Sequence, residues 1–137
     1  MYHRKIMEKS KREKGYILVI DDERPVREAI SDILGIEGLQ VKTAENGEVG
    51  VQVYAQNPSE IELVILDLSM PGLSGEETLC RLRSIDPNVK VILSSGYSKS
   101  DVSPLISRQT QTAFLAKPYR IDTLLDKVMK FMDVQEG

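Results

Sequence analysis

Cysteine and histidine are nearly missing from this chain of 137 residues, which has one of each. A single Cys80 excludes an internal disulfide and a cysteine-cluster metal site, and it reads as a small residue on a helix flank. His3 stands alone in a polar N-terminal stretch, which excludes histidine-based catalysis and multi-histidine metal binding. Chemistry therefore falls to carboxylates, hydroxyls and lysine. No apolar run approaches the ~20 residues that cross a bilayer, so no transmembrane segment is expected. The charged N-terminus lacks the apolar segment of a signal peptide, and the cytoplasm is the expected location. Concentrated positive charge is also missing. Of 18 basic and 21 acidic residues, six and two fall in residues 1–14, leaving 12 and 19 for the rest, a net charge of −7. An acidic body argues against direct binding of nucleic acid. Residues 1–14 are expected to be a flexible basic leader or linker, and residues 15–137 one globular domain.

What is present is a regular alternation. Residues 16–20 (YILVI) form a short apolar run rich in β-branched side chains, the pattern of a strand buried on both faces. Pro25 opens a helix carrying Val26, Ala29, Ile30 and Ile33, ended by Gly35 or Gly38. Residues 39–43 read as a half-exposed strand, and Asn46 caps a helix bearing Val49, Val53 and Tyr54. Residues 63–66 are a second buried strand running into Asp67. Ser74 and Glu77 have capping-box spacing ahead of a helix with Thr78, Leu79, Leu82 and Ile85. A turn at 86–88 leads to a strand at 89–93, a polar helix over 100–111 and a strand at 113–116. The last helix has the clearest stripe: Ile121, Leu124, Leu125, Val128, Met129 and Met132. Five βα repeats predict an α/β fold with a parallel sheet and helices on both faces.

In such a sheet ligands sit beyond the carboxyl ends of the strands. Asp21 and Asp22 end the first strand, Asp67 the third, Ser94-Ser95-Gly96 the fourth, and Lys117-Pro118 the fifth. Brought together, three carboxylates repel by about 4 kcal/mol per pair at 4 Å and an effective dielectric near 20. Such a cluster invites a hard divalent cation, and Mg²⁺ is commonly held by one or two carboxylates plus a phosphate. Lys117 can neutralise a phosphoryl oxygen, Ser95 can donate to another, and an aspartate is a competent nucleophile toward phosphorus.

Residues 17–23 (ILVIDDE), 67–75 (DLSMPGLSG), 94–97 (SSGY) and 114–118 (FLAKP) resemble, in order and spacing, the signature blocks of response-regulator receiver domains. The similarity covers about residues 15 to 134, and it leans toward the receivers of hybrid sensor kinases. It implies a CheY-like, flavodoxin-like (βα)5 three-layer sandwich with strand order 2-1-3-4-5. It implies Asp67 as phosphoacceptor, and Mg²⁺ held by Asp22, Asp67 and the Ser69 backbone carbonyl, with Asp21 acting largely through water. Lys117 would pair with the phosphoryl group and precede a cis proline, Pro118. Of the two candidate hydroxyls, Ser95 matches the family position, because Gly96 then fills the small-residue site. Phe114 matches the aromatic switch position, and Ser69 and Tyr97 are expected to tune phosphoryl lifetime.

The implied partner is a histidine kinase or histidine phosphotransfer domain. Output is expected through the face of the fourth helix, fifth strand and fifth helix, where a homodimer could also form. The resemblance implies a signalling phosphoacceptor with only self-catalysed transfer and slow autodephosphorylation, rather than a turnover enzyme. A haloacid-dehalogenase-like phosphatase would need a second aspartate where Ser69 stands. A flavodoxin-like carrier would need a phosphate loop where Asp21 and Asp22 stand. A degenerate receiver would lack one of the competent residues. Two contexts suit the chain: a stand-alone regulator, or a receiver cut from a hybrid kinase with residues 1–14 as linker.

Overall fold

The structure, a computed structural model, describes residues 15–96 and 111–133. Strands and helices alternate: β1 (Tyr16–Ile20), α1 (Arg24–Ile36), β2 (Gln40–Ala44), α2 (Gly47–Gln56), β3 (Ile61–Asp67), α3 (Gly75–Ile85), β4 (Val91–Ser95), β5 (Thr112–Ala116) and α4 (Ile121–Asp133). A 3-10 turn, Pro58–Glu60, leads into β3. All strand pairs are parallel and the order is β2-β1-β3-β4-β5, the flavodoxin-like arrangement expected. The helix expected over 100–111 lies outside the described residues except for Gln111. That residue is not helical: it takes a left-handed turn conformation, φ +58°, immediately before β5.

Strand alternation divides the core into two layers. Ile17, Val19, Leu63, Ile65, Ile92 and Leu115 face Ile30 and Leu34 of α1 and Leu124, Val128 and Met129 of α4. Leu18, Ile20, Val64, Leu66, Val91 and Leu93 face Tyr54 of α2 and Leu79 and Leu82 of α3. The central strands β1 and β3 are buried along nearly their whole length, which is why they read as unbroken apolar runs. The edge strand β2 is largely open.

Local chemistry sets the boundaries. The Asn46 side chain accepts from the Val49 N–H at 2.8 Å, and Ser74 Oγ from the Glu77 N–H at 3.1 Å. The described bonds form only this half of the expected capping box, and the Glu77 carboxylate leans toward Arg81. Gly38, at φ +85°, stops α1 in the left-handed conformation. Its N–H reaches Gly35 O, and that of Leu39 reaches Leu34 O.

One strand is displaced from its expected place. β4 spans Val91–Ser95 rather than residues 89–93. The Asp86 carbonyl accepts from the Val89 N–H, and its carboxylate accepts from the Asn88 N–H at 2.9 Å. Val89 is therefore held in the turn. The shift carries Ser94 and Ser95 into the ladder itself, next to Asp67.

Candidate functional site

Because every strand runs the same way, their carboxyl ends meet at one edge of the sheet. Asp21 follows β1, Asp67 closes β3, Ser95 closes β4, and Lys117 follows β5. Asp67 lies opposite Ser94, and Ser95 opposite Ala116. This register brings Lys117 Nζ to 3.0 Å from Asp21 Oδ2 and 3.5 Å from Asp67 Oδ2. The peptide bond between Lys117 and Pro118 is cis, as the resemblance implied.

Asp21 and Asp67 are each 3% exposed, whereas Asp22 is open to solvent at the rim. Asp21 Oδ1 accepts from the Glu23 N–H at 2.9 Å. Asp67 Oδ1 accepts from the Ser69 N–H at 3.0 Å. One carboxylate oxygen from each of Asp21, Asp22 and Asp67 lies within 4.8 Å of the other two.

Charge crowding shows in the proton affinities. Burial pushes the Asp67 carboxyl above its usual range, and the charges of Asp21 and Asp22 push the same way. The Ser69 N–H and the Lys117 ammonium oppose the rise without cancelling it. For Lys117, burial favours the neutral amine. That effect is outweighed by the hydrogen bond to Asp21 and the charges of Asp21, Asp67 and Glu23, and its proton affinity ends up raised. Lys117 is therefore a cation at neutral pH, facing three carboxylates. An all-oxygen donor set with excess negative charge suits Mg²⁺ in its chemistry and its charge.

The two serines part company. Ile92 faces the α1–α4 layer and Leu93 the α2–α3 layer. Alternation then sends Ser94 toward α1 and α4, and Ser95 toward α2 and α3. Ser95 is fully buried, and its carbonyl accepts from the Lys117 N–H at 2.7 Å. Phe114 packs on the α2–α3 layer, the layer of Ser95. Tyr97 lies outside the described residues.

Two neighbours escaped the sequence reading. The Arg27 guanidinium donates to the Asp21 backbone carbonyl at 2.8 Å; its place one turn into α1, on the side facing β1, was the available signal. Tyr119, directly after Lys117-Pro118, has a buried hydroxyl near the carboxylates. An aromatic placed two residues after the site lysine was the clue there.

Residues 17–129 match the family described as response regulator receiver domain. The chain is 30% identical over 121 residues to sporulation initiation phosphotransferase F of Bacillus subtilis, covering 88% of this chain and 96% of that protein. It spans only 24% of response regulator protein FleR of Pseudomonas aeruginosa, to which it is 32% identical over 114 residues. Among solved structures, a response regulator receiver domain protein from Clostridium thermocellum superposes with TM-score 0.82 at 30% identity, covering 89% of this chain and 97% of that one. Response regulator TrrA of Thermotoga maritima, solved with Mg(2+)-BeF, has TM-score 0.74 and 37% identity over 85% of this chain and 98% of its own. TrrA has also been solved in complex with histidine kinase ThkA, where the identity is 34%, the TM-score 0.74, and the coverage 85% of this chain and 97% of that one. A receiver-type sheet, an acidic cluster at its carboxyl edge and a match along 17–129 agree: this chain belongs to the response regulator receiver domain family.

Proposed function

We propose that Asp67 accepts a phosphoryl group from the phosphohistidine of a histidine kinase or histidine phosphotransfer domain. The observation that carries this is the meeting of Asp21, Asp22, Asp67 and Lys117 within a few ångströms at the carboxyl edge of the sheet. Asp22, Asp67 and the Ser69 backbone carbonyl would hold Mg²⁺, with Asp21 in support through water. Bound there, Mg²⁺ supplies neutralising charge to phosphoryl oxygens.

The chain's own groups do the rest. A carboxylate oxygen of Asp67 forms the new P–O bond, the P–N bond breaks, and the imidazole leaves with the electron pair. The Ser69 N–H fixes the orientation of the Asp67 carboxylate, and Lys117 faces the side where charge accumulates. The added charge of about −1.5 to −2 draws Lys117 from Asp21 and attracts the Ser95 hydroxyl. Phe114, packed on the Ser95 side of the sheet, turns inward in response. The surface of the expected 100–111 helix, β5 and α4 then changes its affinity for a partner, another copy of the domain included. This is a local electrostatic event biasing a two-state element.

The kinase assignment is supported by TrrA, a relative seen with Mg²⁺ and with a histidine kinase. Among the described residues no helix is long and apolar enough to cross a membrane. A cytoplasmic, signalling role without substrate turnover is the reading we adopt. The test is intact mass after incubation with acetyl phosphate and Mg²⁺. Wild type should gain one phosphoryl group, and Asp67→Asn should gain none while keeping its circular dichroism. Labelling that persists in Asp67→Asn overturns the assignment.

A further inference from the structure

Ser94 and Tyr119 have no place in the transfer chemistry, yet both put a hydroxyl into the protein interior beside it. Ser94 is 2% exposed, and its Oγ has no hydrogen-bond partner among the described residues; the same holds for the hydroxyl of Tyr119. Leaving two such groups unsatisfied is unfavourable on both sides. They also share a location. Alternation along β4 directs Ser94 to the α1–α4 layer, and the Tyr119 ring packs against that same layer. Contact with the Ser94 side chain is among the influences on the Tyr119 phenol, as are the charges of Lys117, Asp21 and Asp67. A hydrogen bond between the two, reached by rotation of the serine χ1 or of the phenol hydroxyl, would satisfy both.

Their attachment points give the contact a purpose. Ser94 is the ladder partner of Asp67. Tyr119 is two residues beyond Lys117, on the stretch where the chain leaves β5 and before α4 begins. This stretch is tied to β4 by the Lys117 N–H to the Ser95 carbonyl and to the start of α4 by the Leu124 N–H to the Arg120 carbonyl. Between these ties the chain runs along an apolar groove of about 700 Å³ whose wall includes Val26, Ile30, Lys117, Pro118 and Tyr119. Apolar contacts in an open groove set depth but not rotation, whereas a hydroxyl pair is directional.

We infer that Tyr119 is a positioning residue for Lys117, its hydroxyl hooked on Ser94 so that the lysine-bearing stretch is tied to the strand position beside Asp67. This rests on the reading of Asp67 as phosphoacceptor. A phenol suits this role because burial, above all, pushes its proton affinity up, so it remains a neutral hydroxyl across the working range. Ser95 serves the opposite face with Phe114, so the consecutive serines divide two jobs: one reaches toward the phosphoryl group, the other steadies the cation.

The experiment is the rate of phosphorylation by acetyl phosphate in saturating Mg²⁺, followed by intact mass. Tyr119→Phe and Ser94→Ala should each slow the reaction about three- to tenfold, the range a single neutral hydrogen bond spans. The double variant should be no slower than the slower single. Non-additivity with the cation separates positioning from general support: once Lys117→Ala is in place, adding Tyr119→Phe should cost under about twofold, because the group it positions is gone. An equal loss in both backgrounds, tracking the thermal midpoint, overturns the inference in favour of simple stability. So do wild-type rates in both single variants. Failure of wild type itself to take a phosphoryl group would instead remove the underlying assignment, a result distinct from either.

Discussion

Asp67 is held in a conflict that the fold does not resolve by itself. Its carboxyl is buried beside two other carboxylates, and one lysine at 3.5 Å offsets them only in part. A carboxyl whose proton affinity is higher folded than unfolded contributes stability below its unfolded value and loses it as pH rises through its folded value. At neutral pH the ionised Asp67 therefore works against folding. In metal-free buffer Asp67→Asn should stabilise the domain by on the order of 1 kcal/mol, read as a raised urea midpoint at pH 7. A lowered midpoint with an intact native spectrum would show that the Lys117 contact outweighs the repulsion. Lys117 was legible as a site residue because a lysine follows the fifth strand. Its resting partner was not: the ammonium sits closer to Asp21 than to Asp67, although β3, which carries Asp67, lies between β1 and β5 in the sheet.

Helix placement decides how steady that edge is. α3 begins directly against the loop after Asp67, and a Cβ added at Gly75 would strike the Leu68 backbone and the Asp67 carbonyl. Gly75→Ala should cost about 1–3 kcal/mol in denaturant unfolding, and an unchanged midpoint would mean that the loop yields freely. On the far side of α3, the Tyr54 hydroxyl from α2 donates to Asp86 Oδ2 at 3.3 Å. Burial first, then the charge and hydrogen bond of Asp86, push the Tyr54 phenol well above its ordinary value of 10.0. The sign follows: the stability it contributes is complete below about pH 10 and drains as pH climbs further. Tyr54→Phe should therefore flatten the loss of stability above pH 10, measured by urea midpoints at successive pH values. An equal slope in both proteins would assign the alkaline loss to other groups. Among elements, helices with caps and stripes were readable, since Asn46, Ser74 and the Leu124–Met132 stripe act locally. The start of β4 was not, because a turn carbonyl on Asp86 competed with the apolar character of Val89.

At the scale of the molecule, the proposed Mg²⁺ site exists only in the folded chain, because Asp67 lies far along the sequence from Asp21 and Asp22. Mg²⁺ held as proposed by this cluster requires the three carboxylates to be assembled, so it should raise the stability of wild type by about 2.7 kcal/mol at one hundred times its dissociation constant. The thermal midpoint in Mg²⁺ against EDTA should rise for wild type and far less for Asp67→Asn. Equal shifts would place the cation elsewhere. The amino-acid sequence alone determined the alternation of strand and helix, the burial of β1 and β3 and the identity of the charged residues at strand ends, because these depend on periodicity and turn chemistry within a few neighbours. Only the tertiary structure decided that Asp21 and Lys117, 96 positions apart, share a hydrogen bond, which helix layer Ser94 and Ser95 each face, and that the Tyr119 ring packs on the α1–α4 layer. Those facts depend on sheet register and on which helix covers which face, and no local pattern encodes either.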